Sequence, residues 1–216
     1  MNRDITEKIR SSYERFHLNE EDLTDDPREL MKRWFSDALK EDIPDANAMT
    51  LATVSGDGKP AARTVLLKEI DEDGYLFYTN YKSRKASDLE ENDHVALLFY
   101  WKEMERQVRI EGVAKKVSSE KSKSYFQSRP LGSQLGAWAS PQSKVIGNRR
   151  YLEDRLAELE STYANHEKLP LPSFWGGFRV IPEYFEFWQG RVNRLHDRFA
   201  YSKDEEENWT ISRLAP

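Results

Sequence analysis

Short runs of β-branched and aromatic residues, joined by turns rich in Asp and Gly, occupy the centre of this 216-residue chain. Residues 49–55, 61–70 and 75–80 are three such runs, and the connections GDGK and DEDG between them are typical of hairpins. Because connections this short join antiparallel neighbours, they predict a meander. Two further strands are predicted at residues 94–101 and 105–118.

The N-terminal segment, residues 1–48, is predicted to be helical. A first helix is expected over residues 4–17. A second is expected to begin at Asp26-Pro27, because Asp is a favourable N-cap and Pro is favourable at the first helical position. Pro44 is expected to end this helix, since Pro disrupts a helix interior.

Helices and strands alternate in the rest of the chain. Helices are predicted at residues 83–92, 119–128 and 148–164, strands at 178–190 and in a final hairpin at 199–214, and no element in the Pro- and Gly-containing stretch 129–147. No strand–GxGxxG–helix unit supports a dinucleotide-binding fold. The predicted fold class is mostly β with peripheral helices (α+β), a closed or split β-barrel. A helical segment at 1–48 and a barrel domain at 49–216 are expected to form a single compact domain overall.

The absence of Cys excludes several kinds of chemistry. Without Cys there is no disulfide framework, no thiolate metal site and no Cys nucleophile. The four His residues are far apart and form no HExxH-like pair, so we expect no metal site. No apolar run approaches the roughly 18 residues of a membrane span, and the charged N-terminus lacks the apolar core of a signal peptide. We therefore expect a cytoplasmic protein without a membrane partner.

The formal net charge of −5 is concentrated near the N-terminus. Residues 1–48 contain 13 acidic and 8 basic side chains, whereas residues 49–216 contain 25 of each. Proteins that bind nucleic acid generally carry a basic excess, so this balance argues against a nucleic-acid partner.

A cluster of cations marks the start of the helix predicted after residue 83. Arg84 and Lys85 follow Ser83, where unpaired backbone N–H groups and the positive end of the helix dipole also lie. This combination suits a phosphate, although a solvated basic helix end is the plainer alternative. Arg63 and Lys68 are five positions apart, so a regular strand would direct them to opposite faces. Either a bulge intervenes or the two side chains serve different ligands.

The segment EFWQGRVNRLHDRF, near the C-terminus, is the densest in functional side chains. It combines Trp188, Arg194, His196 and Arg198 within a short stretch. Arg194 and His196 share a face if this stretch is a strand, so both could contact one ligand. Asp197 beside Arg198 is open to a second interpretation, a charge pair on an edge strand that contributes little.

Six motifs give the chain a strong resemblance to the pyridoxamine 5'-phosphate oxidase family: RTVLLK, YTNYKSRKASDLE, ERQVRIEG, SYFQSRPLGSQLGAWAS-PQS, LPSFWGGFRV and FWQGRVNRLHDRF. The resemblance extends from about residue 10 to the terminal RLAP. It implies an FMN-binding split β-barrel that forms a homodimer with FMN at the subunit interface. It also implies oxidation of pyridoxamine 5'-phosphate and pyridoxine 5'-phosphate to pyridoxal 5'-phosphate, the active form of vitamin B6, with dioxygen as acceptor and hydrogen peroxide as product.

The resemblance also implies particular site residues. Those expected to contact FMN are Arg63, Thr64, Val65, Leu66, Leu67, Lys68, Tyr78, Thr79, Arg84, Lys85, Gln107, Gln142, Ser143, Trp188 and Arg198. Those expected to contact substrate are Lys68, Tyr125, Arg129, Ser133, Arg194, Leu195 and His196, with an N-terminal lid at Arg10, Ser11, Ser12 and Tyr13. Arg194 and His196 are the expected catalytic residues, and two roles stay open for His196, proton transfer or orientation of the substrate.

Two alternatives to the oxidase belong to other functional classes. One is a flavin-binding split-barrel protein without this activity, such as a flavin carrier, a reductase or a stress protein. The other is a binding module that sequesters pyridoxal 5'-phosphate without turnover. The complete set of substrate residues that the resemblance implies favours the oxidase.

Overall fold

The computed structural model describes residues 14–216, which divide into two compact units. The first unit comprises the described residues up to Thr50 together with Ala96–Glu111 and Glu183–Pro216. The second comprises Leu51–Val95 and Gly112–Pro182. The predicted division of the chain after residue 48 stays a prediction.

The described residues form nine strands and five α-helices. The strands are β1 (Ala48–Val54), β2 (Pro60–Leu66), β3 (Glu69–Ile70), β4 (Tyr75–Asn80), β5 (His94–Trp101), β6 (Arg106–Lys116), β7 (Trp175–Gln189), β8 (Asp197–Lys203) and β9 (Trp209–Arg213). The α-helices are α1 (Pro27–Lys40), α2 (Arg84–Glu91), α3 (Ser119–Ser128), α4 (Leu131–Ala139) and α5 (Arg150–Thr162), and short 3-10 helices occur at Glu20–Asp22, Lys102–Met104 and Val192–Arg194.

Hydrogen-bonded neighbours in the sheet follow the order β2-β1-β5-β6-β7-β4-β3, with β8 paired to β7 and β9 paired to β8. The mostly-β prediction is confirmed, as are most of the predicted strands and helices to within a few residues. Over residues 14–216, no helix has both the length and the apolar character that a membrane crossing requires.

The strand predicted over residues 61–70 is wrong as a single element. β2 ends at Leu66 and β3 begins at Glu69, and these two strands lie at opposite ends of the sheet order. The chain therefore leaves one edge of the sheet at residues 67–68 and enters the other. The backbone N–H of Lys68 already donates to the carbonyl of Leu76 on β4, at 2.8 Å. The argument that Arg63 and Lys68 point to opposite faces of one strand does not apply.

The first two predicted helices have different outcomes. Most of the helix predicted at residues 4–17 lies outside the described residues, and residues 14–17 are not helical. The second helix, α1, begins after the N-cap Asp26 as predicted. It ends before Pro44, because Asp42 adopts a left-handed conformation (φ 50°) and the Ile43 N–H donates to the Ala38 carbonyl at 3.1 Å. This is a Schellman motif, which ends the helix by its own hydrogen bonds.

Helix α4 lies in the stretch where no element was predicted. Gly132 and Gly136 lower its helix propensity, but Leu135 and Ala139 are buried and stabilise it by packing. The buried side chain of Gln134 adds two hydrogen bonds to the backbone. Its Nε2 donates to the Arg129 carbonyl at 2.7 Å, and its Oε1 accepts from the Leu169 N–H at 2.9 Å. Tertiary contacts have here overridden a weak local preference.

In the first unit, the core is built from aromatic side chains around the second half of β7. The ring of Phe187 makes edge contacts with Trp34 of α1 at 5.3 Å and with Tyr201 of β8 at 5.7 Å. The guanidinium of Arg106 lies 4.5 Å from the Trp34 ring and 4.8 Å from that of Phe16. Residues 14–18 are thereby attached to the core of this unit.

In the second unit, the first half of β7 pairs with β4 and leaves room for a stack of aromatic rings. Tyr78 lies opposite Gly177 in the antiparallel register, and its ring stacks on Tyr125 at 3.9 Å and on Trp175 at 5.5 Å. A Cβ atom at Gly177 would lie 2.8 Å from both the Tyr78 ring and the Val117 side chain. The absence of a side chain at this position therefore allows the Tyr78 ring to lie against β7.

We expect Gly177→Ala to destabilise the protein by about 1–3 kcal/mol and to displace the Tyr78 ring, because the added methyl group overlaps it. Urea titration gives the free energy of unfolding, and near-ultraviolet circular dichroism reports the aromatic stack. Gly136→Ala is the matched control, since nothing lies within 4 Å of its added Cβ, and it should stabilise α4 by up to about 1 kcal/mol. Equal responses of the two variants would contradict this account of Gly177.

Candidate active site

The start of α2 in the second unit holds a half-buried lysine among neutral oxygen atoms. The Nζ atom of Lys85 lies 3.1 Å from Oγ1 of Thr79, 3.3 Å from Oγ of Ser83 and 3.1 Å from Oε1 of Gln142. β4 supplies Thr79, the N-cap of α2 supplies Ser83, and the segment after α4 supplies Gln142. Thus three residues that were predicted from two different motifs to contact FMN lie together: Thr79 and Lys85 from one motif and Gln142 from the other.

Arg63 on β2 is held in the same unit by one buried carboxylate. Its Nη1 atom donates to the Leu51 carbonyl at 3.1 Å and to Oγ1 of Thr53 at 2.7 Å, and its Nη2 atom lies 3.5 Å from Asp88 of α2. Asp88 is buried and also accepts a hydrogen bond from Thr53 at 2.6 Å. Part of the guanidinium is therefore committed to the protein and fixes its orientation.

Positive charge exceeds negative charge around this helix start. Burial lowers the pKa of the Lys85 ammonium, and the charge of Arg63 lowers it further. Burial likewise lowers the pKa of Arg63, and Arg84 adds to this, against the opposing effect of Asp88. Neither Arg84 nor Lys85 forms an ion pair with any residue from 14 to 216. A bound anion would relieve this repulsion, and the half-buried Lys85 does not fit the alternative of a solvated basic helix end.

A second cationic side chain of this unit has an unused donor. Arg129, between α3 and α4, donates from Nη2 to the Ser133 carbonyl at 2.8 Å, and its guanidinium lies 4.8 Å from the Trp175 ring. Its Nη1 atom is buried and has no hydrogen-bond partner in the described part of the chain. Burial lowers the pKa of Arg129. Buried donors are rarely left unpaired, so this atom indicates a ligand that accepts a hydrogen bond.

Tyr78 and Tyr125 connect two groups of predicted site residues. Tyr78 was predicted to contact FMN and Tyr125 to contact the substrate, and the two rings stack at 3.9 Å. Tyr125 and Arg129 lie one turn apart along the chain at the end of α3. Ser133 is brought to Arg129, although it is the carbonyl of Ser133 and not its hydroxyl that forms the observed hydrogen bond.

The remaining predicted residues of the second unit lie at strand ends and in loops. Thr64, Val65 and Leu66 are on β2, and Leu67 is buried at the crossing to β3. Lys68 follows it, is exposed and forms no ion pair among the described residues. Ser143, beside Gln142, is an exposed loop residue with a positive φ of 68°.

In the first unit, a buried carboxylate orients Arg198 on β8. Glu186 of β7 accepts from Nε of Arg198 at 2.8 Å and from Nη2 of Arg109 at 2.7 Å. Nη1 of Arg198 donates to the Ala215 carbonyl at 2.7 Å. Arg198 therefore pairs with Glu186 and not with Asp197, which corrects the alternative of a simple edge-strand pair between neighbours.

Trp188 and Gln107 lie on strands of the same unit. Trp188 on β7 is opposite Arg198 on β8 in the antiparallel register, so both belong to one cross-strand pair. Gln107 is a half-buried residue of β6.

The loop between β7 and β8 carries the predicted catalytic residues but is not a strand. Residues 192–194 form a 3-10 turn in which Asn193 and Arg194 have positive φ values of 55° and 62°. The prediction that Arg194 and His196 share a strand face is therefore wrong. Arg194 and Leu195 are exposed, while the His196 ring lies 4.6 Å from that of Trp188.

Arg191 and Asp197 take part in the hydrogen bonds of this loop. Nδ1 of His196 accepts a hydrogen bond from the backbone N–H of Arg191 at 3.0 Å. Asp197 accepts from the side chain of Arg191 at 3.1 Å. Burial lowers the pKa of His196, and the charge of Arg194 lowers it further, against the opposing effect of Asp197.

Sequence reasoning did not identify the buried carboxylates Asp88 and Glu186 as part of these groups. Both are buried: Asp88 precedes Leu89 on α2, and Glu186 lies between Phe185 and Phe187 on β7, where both faces of the strand are buried. An acidic side chain at a buried position is the signal that could have revealed them, since such a group needs a cationic partner. The predicted lid residues Arg10, Ser11, Ser12 and Tyr13 lie outside the described part of the chain. Residues 14–216 contain no group of His, Asp and Glu suited to a metal ion.

Family models match most of the chain. Residues 35–163 match the model described as pyridoxamine 5'-phosphate oxidase. Residues 175–216 match the model described as the pyridoxine 5'-phosphate oxidase C-terminal dimerisation region.

Curated relatives align with the chain over nearly their full length. A protein of Crocosphaera subtropica named pyridoxine/pyridoxamine 5'-phosphate oxidase is 54% identical over 210 residues, which is 96% of this chain and 98% of the relative. A protein of the same name from Salinibacter ruber is 50% identical over 209 residues, 96% of this chain and 97% of the relative.

Solved structures confirm the predicted split β-barrel class. PhzG from Burkholderia lata, solved with tetrahydrophenazine-1-carboxylic acid, superposes with a TM-score of 0.86 at 30% identity over 92% of this chain and 98% of that protein. A pyridoxamine 5'-phosphate oxidase-related, FMN-binding protein from Nostoc punctiforme superposes with a TM-score of 0.71 over 90% of this chain and all of that protein. Its 18% identity supports the fold alone.

Proposed function

This chain belongs to the pyridoxamine 5'-phosphate oxidase family, and we propose that it oxidises pyridoxamine 5'-phosphate and pyridoxine 5'-phosphate to pyridoxal 5'-phosphate with FMN as its cofactor. The observation that carries this proposal is the presence in the second unit of two separate cationic groups that have no carboxylate partner among residues 14–216. Arg84 with Lys85 is one, and Arg129 is the other. Cofactor and substrate each contain one phosphate, so the reaction requires two such groups.

The residues at the start of α2 fit the FMN phosphate. Arg63, Arg84 and Lys85 supply three positive charges against the single carboxylate of Asp88. The first turn of a helix adds backbone N–H groups that suit a phosphate. FMN held there by Arg63, Arg84 and Lys85 would supply the redox chemistry, a two-electron oxidation of the substrate at its C4' carbon with dioxygen as the final acceptor and hydrogen peroxide as the product. The protein's part is to position and orient both molecules.

The residues around Arg129 fit the substrate phosphate. The buried Nη1 atom of Arg129 is a charged donor without a partner among the described residues, and a phosphate oxygen would satisfy it. Tyr125, one turn earlier, would supply a hydroxyl group. Lys68 is the residue that we propose as a second cation for the same phosphate. The side chain of Ser133 supplies another hydroxyl group, because its observed hydrogen bond uses only the carbonyl.

Residues of the first unit have separate proposed roles. Arg198 and Trp188, which are paired across β7 and β8, would contact FMN together with Gln107. Glu186 fixes the orientation of the Arg198 guanidinium for this contact. Arg194 and His196 would hold the pyridine ring of the substrate. The match of residues 175–216 to a dimerisation region supports a homodimer. In this proposal FMN lies at the subunit interface.

The central experiment is to purify the protein, record its absorption spectrum and measure hydrogen peroxide release with each phosphorylated substrate. We expect a yellow protein that contains FMN and releases peroxide with pyridoxamine 5'-phosphate and pyridoxine 5'-phosphate. A colourless protein that cannot be loaded with FMN would contradict the proposal. A yellow protein that turns over neither substrate would favour a flavoprotein of another activity.

The double variant Arg84→Ala, Lys85→Ala should bind FMN about 100-fold more weakly, because two charge-assisted hydrogen bonds of about 1.5 kcal/mol each are lost. Fluorescence titration of the apoprotein with FMN measures the dissociation constant. The matched control is Lys115→Ala, Lys116→Ala, which removes two adjacent exposed lysines that pair with Asp93 and Glu90. An equal loss of affinity in both double variants would mean that FMN affinity depends on the net charge of the protein. It would contradict the proposal that Arg84 and Lys85 bind the FMN phosphate.

Arg129→Met should raise KM for pyridoxamine 5'-phosphate by about 10- to 100-fold, the range expected when a charged hydrogen bond to phosphate is lost. FMN affinity should change by less than about twofold. Turnover of unphosphorylated pyridoxamine, measured at high concentration, provides the internal control, since Arg129 then has no phosphate to bind. If kcat/KM fell equally for both substrates, Arg129 would not be the phosphate-binding residue.

A further inference from the structure

In the loop between β7 and β8, His196 forms a hydrogen bond whose donor and acceptor can be assigned without ambiguity. The backbone N–H of Arg191 lies 3.0 Å from Nδ1 of His196. A backbone N–H is always the donor, so Nδ1 is the acceptor and carries no proton. The single proton of a neutral imidazole is then on Nε2.

A positively charged His196 is incompatible with this contact. An imidazolium carries protons on both nitrogens, so its Nδ1–H would face the Arg191 N–H. Among the described residues, the Trp188 indole lies 4.6 Å from the His196 ring. The charge of Arg194 opposes the charged form of His196, and the charge of Asp197 favours it. Burial and Arg194 lower the pKa of His196, in agreement with the neutral state.

Asp197 pairs with the side chain of Arg191, the residue whose backbone N–H meets His196. Its Oδ2 atom accepts from Nη1 of Arg191 at 3.1 Å and from the backbone N–H of Leu18 at 3.3 Å. Its Oδ1 atom accepts from Nη1 of Arg213 at 3.0 Å. The Asp197 side chain is only 13% exposed, so solvent screens these contacts weakly. Arg191 is thus fixed through its side chain while its backbone N–H faces His196.

We infer that Asp197 is a positioning residue that acts through Arg191 and holds His196 as the neutral tautomer with its proton on Nε2. His196 then serves the substrate as a hydrogen-bond donor and not as a proton acceptor. The substrate atom that meets Nε2 must be an acceptor, such as the 3-oxygen or the ring nitrogen of pyridoxamine 5'-phosphate. The identity of this substrate rests on the proposed function, whereas the tautomer itself does not.

Nitrogen-15 NMR of the imidazole rings in the FMN-bound enzyme tests the tautomer directly. The signals of His196 are assigned by their absence from the His196→Asn variant. We expect Nδ1 to resonate as an unprotonated nitrogen and Nε2 as a protonated one at neutral pH. A proton on Nδ1, or a charged ring, would overturn the inference. This readout requires no turnover, so it is separate from a failure of the proposed function.

The role of Asp197 is tested with Asp197→Asn, which preserves size but removes the charge that holds Arg191. We expect the His196 signals to shift towards a mixture of tautomers. KM for pyridoxamine 5'-phosphate should rise about tenfold, the equivalent of one hydrogen bond, with a smaller change in kcat and unchanged FMN binding.

The matched control is Arg213→Gln, which removes the partner of Oδ1 on the same carboxylate but leaves Oδ2 paired with Arg191. This variant should retain the wild-type tautomer. An unchanged tautomer in Asp197→Asn, or an equal shift in Arg213→Gln, would refute the positioning role. If Asp197→Asn does not fold, Arg191→Gln removes the same ion pair from its other side, and an unchanged tautomer there would refute the role equally.

Discussion

The antiparallel pairing of β7, with β4 along its first half and with β8 along its second, is the constraint on which the candidate site residues depend. In the first register Gly177 lies opposite Tyr78, and in the second Trp188 lies opposite Arg198. A slip of one residue would turn each of these side chains to the other face of the sheet. The glycine and the aromatic partners make such a slip costly, because only one register leaves space for the Tyr78 ring.

The cationic side chains of the candidate site fall into two kinds, those paired with a buried carboxylate and those without such a partner among the described residues. Arg63 and Arg198 each lie against a buried carboxylate, Asp88 and Glu186 respectively, which fixes the direction of their guanidinium groups. Other cations, such as Lys85, have no carboxylate partner among the described residues and retain charge for a ligand. The net charge of −5 describes the whole chain and gives no indication of this division. An acidic protein can therefore contain local groups of cations that suit an anion.

Local patterns predicted the elements whose sequence signals lie within a few neighbouring residues. The N-cap at Asp26 and the alternation of strands such as β5 and β6 are visible in the sequence and appear in the structure. The errors occur where distant contacts decide. The break between β2 and β3 depends on strand neighbours that are remote in sequence, and α4 depends on packing that compensates for Gly132 and Gly136. Neither effect is encoded in a short window of residues.

The positions of single side chains in the candidate site also could not be predicted from a short window of sequence. Motifs identified His196 and its neighbours, but strand parity misplaced them, because Asn193 and Arg194 adopt left-handed conformations that fold the loop back on itself. That reversal brings the Arg191 N–H to a ring five residues later in the chain. Two roles were open for His196 from its motif, proton transfer or orientation of the substrate. In the structure the Asp197 carboxylate holds Arg191, and the backbone N–H of Arg191 determines the protonation state of His196. This arrangement favours the second role, that of a neutral hydrogen-bond donor.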